Sequence, residues 1–153
     1  MKKIAIASLL ALAAISASAV EVGVTGSYDG TKHDHAGYGL TLGQHFGEFS
    51  ATAGFDRYSD NNLNKYSLVG GYDVAKIGTA TLTAKVGAVY LDQEAGKTYS
   101  KDRTGYAGLV GAGISIPVTK SVSATADYRY QAGQSRVNDL NGSTVLVGAK
   151  YSF

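Results

Sequence analysis

Gly142-Ser-Thr-Val-Leu-Val-Gly-Ala-Lys-Tyr-Ser-Phe153 decides how the whole chain is read. At every second residue, Val145, Val147, Ala149, Tyr151 and Phe153 share one face, while Thr144, Leu146, Gly148, Lys150 and Ser152 share the other. A period of two belongs to an extended strand, and here one face is apolar throughout while the other is mostly small and polar. In water, a terminal strand ending on an outward aromatic frays and invites aggregation. Against lipid the same face is at home, so the stretch reads as the closing strand of a sheet whose outer surface meets hydrocarbon.

Such a strand needs partners of matching length and pattern, and the sequence supplies seven, each about ten residues long as a tilted membrane strand requires. The first, 20–29, sets Val20, Val22, Val24, Gly26 and Tyr28 against Glu21, Gly23, Thr25 and Ser27. The second, 36–46, turns Tyr38, Leu40, Leu42 and Phe46 outward, and the third, from Phe49, does the same with Phe49, Ala51, Ala53 and Phe55. Ser59 to Asn64 reads as a polar loop. The fourth, 66–74, and fifth, 81–90, alternate about the tight stretch Ala75-Lys-Ile-Gly78. The sixth ends at Pro117, where a missing ladder donor matters least, and the seventh, 121–131, sets Val122, Ala124, Ala126, Tyr128 and Tyr130 against Ser123, Thr125, Asp127 and Arg129. The expected fold is an all-β, eight-stranded antiparallel up-and-down transmembrane barrel.

Three further features support that expectation. Met1-Lys2-Lys3, an apolar run from Ile4 to Ile15 and Ala17-Ser18-Ala19 form a secretory signal peptide, so residues 1–19 are expected to be removed and residues 20–153 to form one barrel domain. The connections alternate, long after strands one, three, five and seven and short after two, four and six, as between extracellular loops and periplasmic turns; an even strand count then leaves both termini periplasmic. The outward aromatics fall at two depths: Tyr28, Tyr38, Phe55, Tyr66, Tyr90, Tyr106, Tyr128 and Tyr130 near one end, and Phe46, Phe49, Tyr72, Tyr151 and Phe153 near the other. Two girdles around an aliphatic band mark two membrane interfaces, whereas a soluble periplasmic β protein has no reason to sort its rings by depth.

Composition excludes several classes. There is no cysteine, hence no disulfide, thiol nucleophile or cysteine metal site. The formal net charge of +2 is too close to balance to suggest nucleic acid. Past the leader no apolar stretch is long enough for a membrane helix, and a barrel hides its membrane signal in alternation.

The leader, the alternating strands and the final Tyr151-Ser152-Phe153 together resemble the small eight-stranded outer-membrane barrel family of Gram-negative bacteria, the group of the OmpA barrel domain, OmpX and Ail. The resemblance is architectural and spans the mature chain. It implies that the terminal strand, through Tyr151 and Phe153, is read by the barrel assembly machinery. Two departures are expected: no periplasmic peptidoglycan-binding domain after the eighth strand, and loops too short for the raised strand fence of OmpX.

An eight-stranded barrel is filled by its own side chains. The expected inward set is Gly, Ser and Thr with Glu21, Asp56, Asp73, Lys85, Asp127, Arg129 and Lys150, and charges in so confined a space must pair. Strands one and eight meet at closure, so Glu21 and Lys150 can pair. If these groups plug the lumen, Lys85→Ala or Asp127→Ala raises ion leakage. Basic positions Arg57, Lys97, Lys101 and Arg103 are candidates for lipopolysaccharide phosphates. His33, Asp34 and His35 are the one candidate set for a divalent metal, although such a polar loop triplet is far more often simply solvated sequence. No catalytic set is assigned, since barrel hydrolases place His beside Ser or Asp at the rim and no His follows His45. The barrel acyltransferase and deacylase patterns are both absent.

The reading from sequence is a monomeric outer-membrane barrel with a structural or surface-contact role, in contact with membrane lipid and lipopolysaccharide, without cofactor or nucleic-acid partner. A low-conductance pore is the alternative and a lipid-A-modifying enzyme the third.

Overall fold

A computed structural model describes residues 20–30, 35–60, 62–95, 103–133 and 141–153. The leader 1–19 and the candidate residues His33, Asp34, Lys97 and Lys101 lie outside the described residues. Eight antiparallel strands close into a barrel in chain order: β1 (Val20–Asp29), β2 (His35–Phe46), β3 (Phe49–Tyr58), β4 (Leu63–Ile77), β5 (Ala80–Gln93), β6 (Arg103–Pro117), β7 (Val122–Gly133) and β8 (Gly142–Ser152). Closure is made by β8 on β1, from Ser152 opposite Glu21 to Thr144 opposite Asp29.

The strands are staggered. From Val20 the register partners run Gln44, Ala51, Gly70, Val86, Val110, Tyr130 and Ser143, and Gly30 N then donates to Ser143 O. One circuit thus returns to β1 at Gly30, ten residues beyond Val20. That stagger is the shear that tilts the strands by roughly 40° to the axis and fixes a narrow interior.

At one end, called the turn end, lie the starts of β1 and the finish of β8 together with the connections after β2, β4 and β6. Phe46 pairs with Phe49 across Gly47-Glu48, and Ile77 with Ala80 across Gly78-Thr79. Gly47 and Gly78 have φ of 67° and 61°, the glycine-first order of a type II′ hairpin whose twist matches the strands. The other end, the loop end, carries the connections after β1, β3, β5 and β7. Here the expected polar loop Ser59–Asn64 is shorter than the sequence suggested, because Leu63 and Asn64 are already paired in β4, opposite Tyr58 and Arg57. The connection after β3 is therefore four residues, 59–62, no longer than the turn 118–121 after β6.

The faces divide as alternation predicts. Val22, Val24, Leu40, Leu68, Val86, Val110 and Val147 stand exposed on the outer wall. Tyr66 lies opposite Phe55 and Tyr90, and Tyr90 opposite Tyr106, so four rings form a ladder across β3–β6 with centroids 5.1, 6.3 and 5.1 Å apart. At the turn end Phe49 and Tyr72 pack at 5.0 Å, and Tyr151 and Phe153 edge-to-face at 4.8 Å. Tilted and edge-to-face contacts are the arrangements ring quadrupoles favour.

The interior differs from the expected set of small polar residues. Its loop-end half is packed with Tyr58, Leu63, Val69, Val89, Leu91, Ala107 and Leu109, all buried. Inward glycines allow the wall to curve tightly elsewhere: a Cβ on Gly148 would overlap the Val24 carbonyl and press on Thr25 at the seam.

Candidate functional site

The chemistry of this protein is concentrated in its lumen, where three ionic layers stack along the axis. Nearest the turn end, Glu21 on β1 accepts from Lys150 Nζ on β8 at 3.1 Å and from Ser152 Oγ at 3.3 Å, with His45 Nε2 3.4 Å away on β2. This layer ties together the two strands that close the barrel and the one beside them.

At mid-height, Lys85 Nζ on β5 donates to Asp127 Oδ1 on β7 at 2.5 Å, and Arg129 Nη2 donates to Asp127 Oδ2 at 3.0 Å. One strand, β6, separates Lys85 from Asp127, and the gap is spanned because β6 places Gly113 there. A Cβ on Gly113 would collide with both Asp127 Oδ1 and Lys85 Nζ. The same device recurs across β1–β2–β3, where a Cβ on Gly39 would occupy the space between Thr25 Oγ1 and Asp56 Oδ1, whose contact is 3.5 Å. Polar side chains two strands apart thus reach each other over an intervening inward glycine.

The loop-end layer is one that the sequence reading did not include. Lys65 Nζ donates to Asp29 Oδ2 at 2.5 Å and to Gln131 Oε1 at 3.2 Å, and lies 4.8 Å from the centroid of the Tyr58 ring. The side chains of Lys65 and Asp29 are only 5% and 1% exposed. Tyr58, Leu63, Leu91 and Gln93 are fully buried around them. An ion pair this deep needs its remaining donors satisfied, which Gln131 and the Tyr58 ring face help to do.

Two small cavities remain. One of about 30 Å³ is lined by His45, Thr83, Lys85, Asp127, Arg129 and Lys150; another of about 20 Å³ is bordered by Asp56, Tyr58, Lys65, Arg129, Gln131 and Leu146. Each has the size of one or two waters, and Arg129 stands between them. Among the described residues the interior therefore carries small pockets of polarity.

The other sequence candidates are dispersed. Asp73 accepts from Thr83 Oγ1 at 2.8 Å, beside a bulge where the β4–β5 register shifts between Asp73 and Ala75. Arg57 is exposed on the outer wall with Nη1 3.5 Å from Asn64 Oδ1. Arg103 Nη2 donates to Gln93 Oε1 at 2.9 Å at the loop end. Tyr151 and Phe153 form the ring pair at the end of β8, and Phe153 N donates to Val20 O at 3.1 Å. His35 opens β2 opposite Asp29, away from His45 at the far end of that strand. Lys65 and Asp29 were legible only by carrying alternation back two residues from the inward Ser67, and forward two from the inward Ser27.

No family model and no curated protein matches the sequence. Solved structures do match. Neisserial surface protein A (NspA) aligns with a TM-score of 0.61 at 17% identity, covering 90% of this chain and 98% of that one. Ail, the attachment invasion locus protein of Yersinia pestis, solved in complex with the heparin analogue sucrose octasulfate, gives 0.59 at 18%, covering 89% and 97%. A de novo designed transmembrane β-barrel gives 0.59 at 14%, covering 91% and 98%. The fold is that of small eight-stranded transmembrane barrels.

Proposed function

We propose that the chain is a monomeric barrel of the Gram-negative outer membrane, termini periplasmic, that supports the envelope and presents short loops rather than catalysing a reaction. The observation that carries this reading is the filled loop end of the lumen. Tyr58, Leu63, Leu91, Gln93 and Asp29 are all buried to below 2% exposure at the same end, which supports a lumen closed to free diffusion. The exposed aliphatic belt and its aromatic borders support residence in a bilayer.

The partners that follow are membrane lipid and lipopolysaccharide around the wall, and the assembly machinery at Tyr151 and Phe153. The Ail structure holds a sulfated heparin analogue. For this chain the corresponding chemistry is contact of Arg57, Arg103, Lys97 and Lys101 with phosphorylated saccharide.

A low-conductance channel is the second reading, favoured by the two polar cavities that flank Arg129. Planar-bilayer recording on residues 20–153, refolded and migrating as an SDS-resistant band, separates the two. Silence supports the structural reading. Discrete steps overturn it in favour of the channel.

A further inference from the structure

The turn-end girdle is incomplete. Its rings, Phe46, Phe49, Tyr72, Tyr151 and Phe153, belong to β2, β3, β4 and β8. Over β5–β7 the outward positions at that end are instead aliphatic, and on the lip beside them Ile77 at the end of β4 and Val118 in the turn after β6 are each 66% exposed. Directly above the lip, the wall is indented. An open groove of about 340 Å³ lies over Ala112 and Ala126, flanked by Leu82, Ile114, Tyr128 and Val145. Its depth comes from the small side chains opposite larger ones, since Ala126 faces Ile114 and Ala112 faces Tyr128.

The charges at this lip are distinctive. Among the described residues, Arg57, Lys65, Lys85, Arg103, Arg129 and Lys150 each have a hydrogen-bond or ion-pair partner, and Lys76 and Lys120 have none. Both unpartnered lysines are exposed at the turn end of this sector. Lys120 sits at the apex of a turn fixed by Thr119, whose Oγ1 accepts from Ser121 N at 3.3 Å and from Val122 N at 3.0 Å. Lys76, on the neighbouring hairpin tip, pairs with Thr81 in the inward row that continues to Ser115, and so faces the lumen side of the mouth. The side-chain carboxylates of this end are engaged elsewhere, Glu21 by Lys150, Glu48 by Tyr72 and Asp73 by Thr83. From Ile114 in the groove to Val118 at the lip is four residues, about 13 Å along the strand and, at a tilt of roughly 40°, about 10 Å along the membrane normal, within the half-thickness of a hydrocarbon core of about 30 Å.

We propose that this sector holds one anionic glycerophospholipid of the turn-end leaflet, an acyl chain seated over Ala112 and Ala126 and the phosphate at Lys120. The inference rests on the reading that the barrel spans a bilayer. The groove and Lys120 belong to the same pair of strands within one leaflet, in the order of a lipid's tail and headgroup. A zwitterionic lipid carries its own cation and gains less from an unpaired lysine.

The test is native mass spectrometry of residues 20–153 released from nanodiscs of equimolar phosphatidylglycerol and phosphatidylcholine, with folding checked by SDS-resistant migration. The wild-type barrel is expected to retain one phosphatidylglycerol in preference to phosphatidylcholine. Lys120→Gln reduces that preference roughly fivefold, the contribution of one cation near a membrane surface, and Lys76→Gln, on the lumen side, leaves it unchanged. Ala126→Phe, which fills the groove from outside the wall, lowers retention of both lipids. Equal retention of both lipids by wild type overturns the proposal, as does an unchanged preference in Lys120→Gln. A two-barrel species that Ala126→Phe removes overturns it in favour of self-association. A chain that inserts into neither lipid overturns the membrane reading as well, and so is told apart from loss of preference in an inserted barrel.

Discussion

Lys65 and Asp29, thirty-six residues apart in the chain, meet inside the loop end of the barrel in a contact of 2.5 Å that water scarcely reaches. Both side chains come from strand ends that border loops, and the pair bridges over from β1 to β4. Removing one member strands a buried charge, whereas replacing both with apolar groups of similar volume is close to neutral. Lys65→Met is therefore expected to destabilise the folded barrel by about 3–5 kcal/mol, and Lys65→Met with Asp29→Leu to recover most of it. Urea midpoints for barrels refolded in phospholipid vesicles measure both; a double variant no better than the single one would refute the pairing.

The occlusion at the loop end and the Lys85–Asp127–Arg129 layer below it are separable. Lys85→Ala, which leaves Tyr58 and Leu91 in place, is expected to stay silent in planar bilayers. Tyr58→Ala with Leu91→Ala, which empties the packed region itself, is expected to give brief conductance events. If Lys85→Ala conducts and the double variant does not, the seal lies at mid-height instead.

Two glycines in neighbouring seam strands make an internal control. Gly148 faces inward, and a Cβ there would overlap the Val24 carbonyl; Gly26 faces outward, and a Cβ there would find its nearest atom, the Val147 carbonyl, at 3.8 Å. Gly148→Ala is expected to cost about 1–3 kcal/mol through overpacking, and Gly26→Ala almost nothing. Temperatures at which the unboiled SDS-resistant band is lost compare the two directly.

Tyr90 touches two rings of the ladder, Tyr66 at 6.3 Å and Tyr106 at 5.1 Å. Tyr90→Ala is expected to lose about 1–3 kcal/mol of folding free energy, the worth of two ring pairs, while Tyr90→Phe retains it. Equal losses in the two variants would assign the effect to the hydroxyl.

Deleting Phe153 removes one ring of the terminal pair and the backbone bond to Val20. Refolding into vesicles is expected to change little, since the seam from Glu21 to Asp29 remains. Insertion in cells, read by protease protection in the outer membrane, is expected to fall severalfold. Equal effects in both settings would make Phe153 a packing residue alone.

Strand identity and facing were legible because lipid on one side and a cramped polar interior on the other impose opposite demands on successive residues. Val122 to Gln131 is the clearest instance, with each residue on the side alternation gave it. The signal weakened where both sides are apolar: Val69, Val89, Leu91, Leu109 and Leu146 are inward and buried, so alternation loses its contrast just where the lumen is packed. Ser59-Asp-Asn-Asn-Leu-Asn64 concealed the start of β4 because its polar residues suit a loop, although Leu63 is fully buried. Pairings such as Lys85 with Asp127 depend on the registers of β5, β6 and β7 at once and on the glycine between them, which no local pattern records.

The ten-residue stagger gives the seam a further property. The position of β8 against β1 is the running total of seven separate hairpin registers, so a slip in any one of them arrives undiminished at the last pairing. A slip of one residue would present lipid with the wrong face of every later strand. A slip of two would keep the faces but carry Lys150 away from Glu21 by about 7 Å, leaving both charges unmatched at the mouth. Their 3.1 Å contact is thus a checksum on the whole wall: it forms only when every preceding strand has been laid down in its proper place.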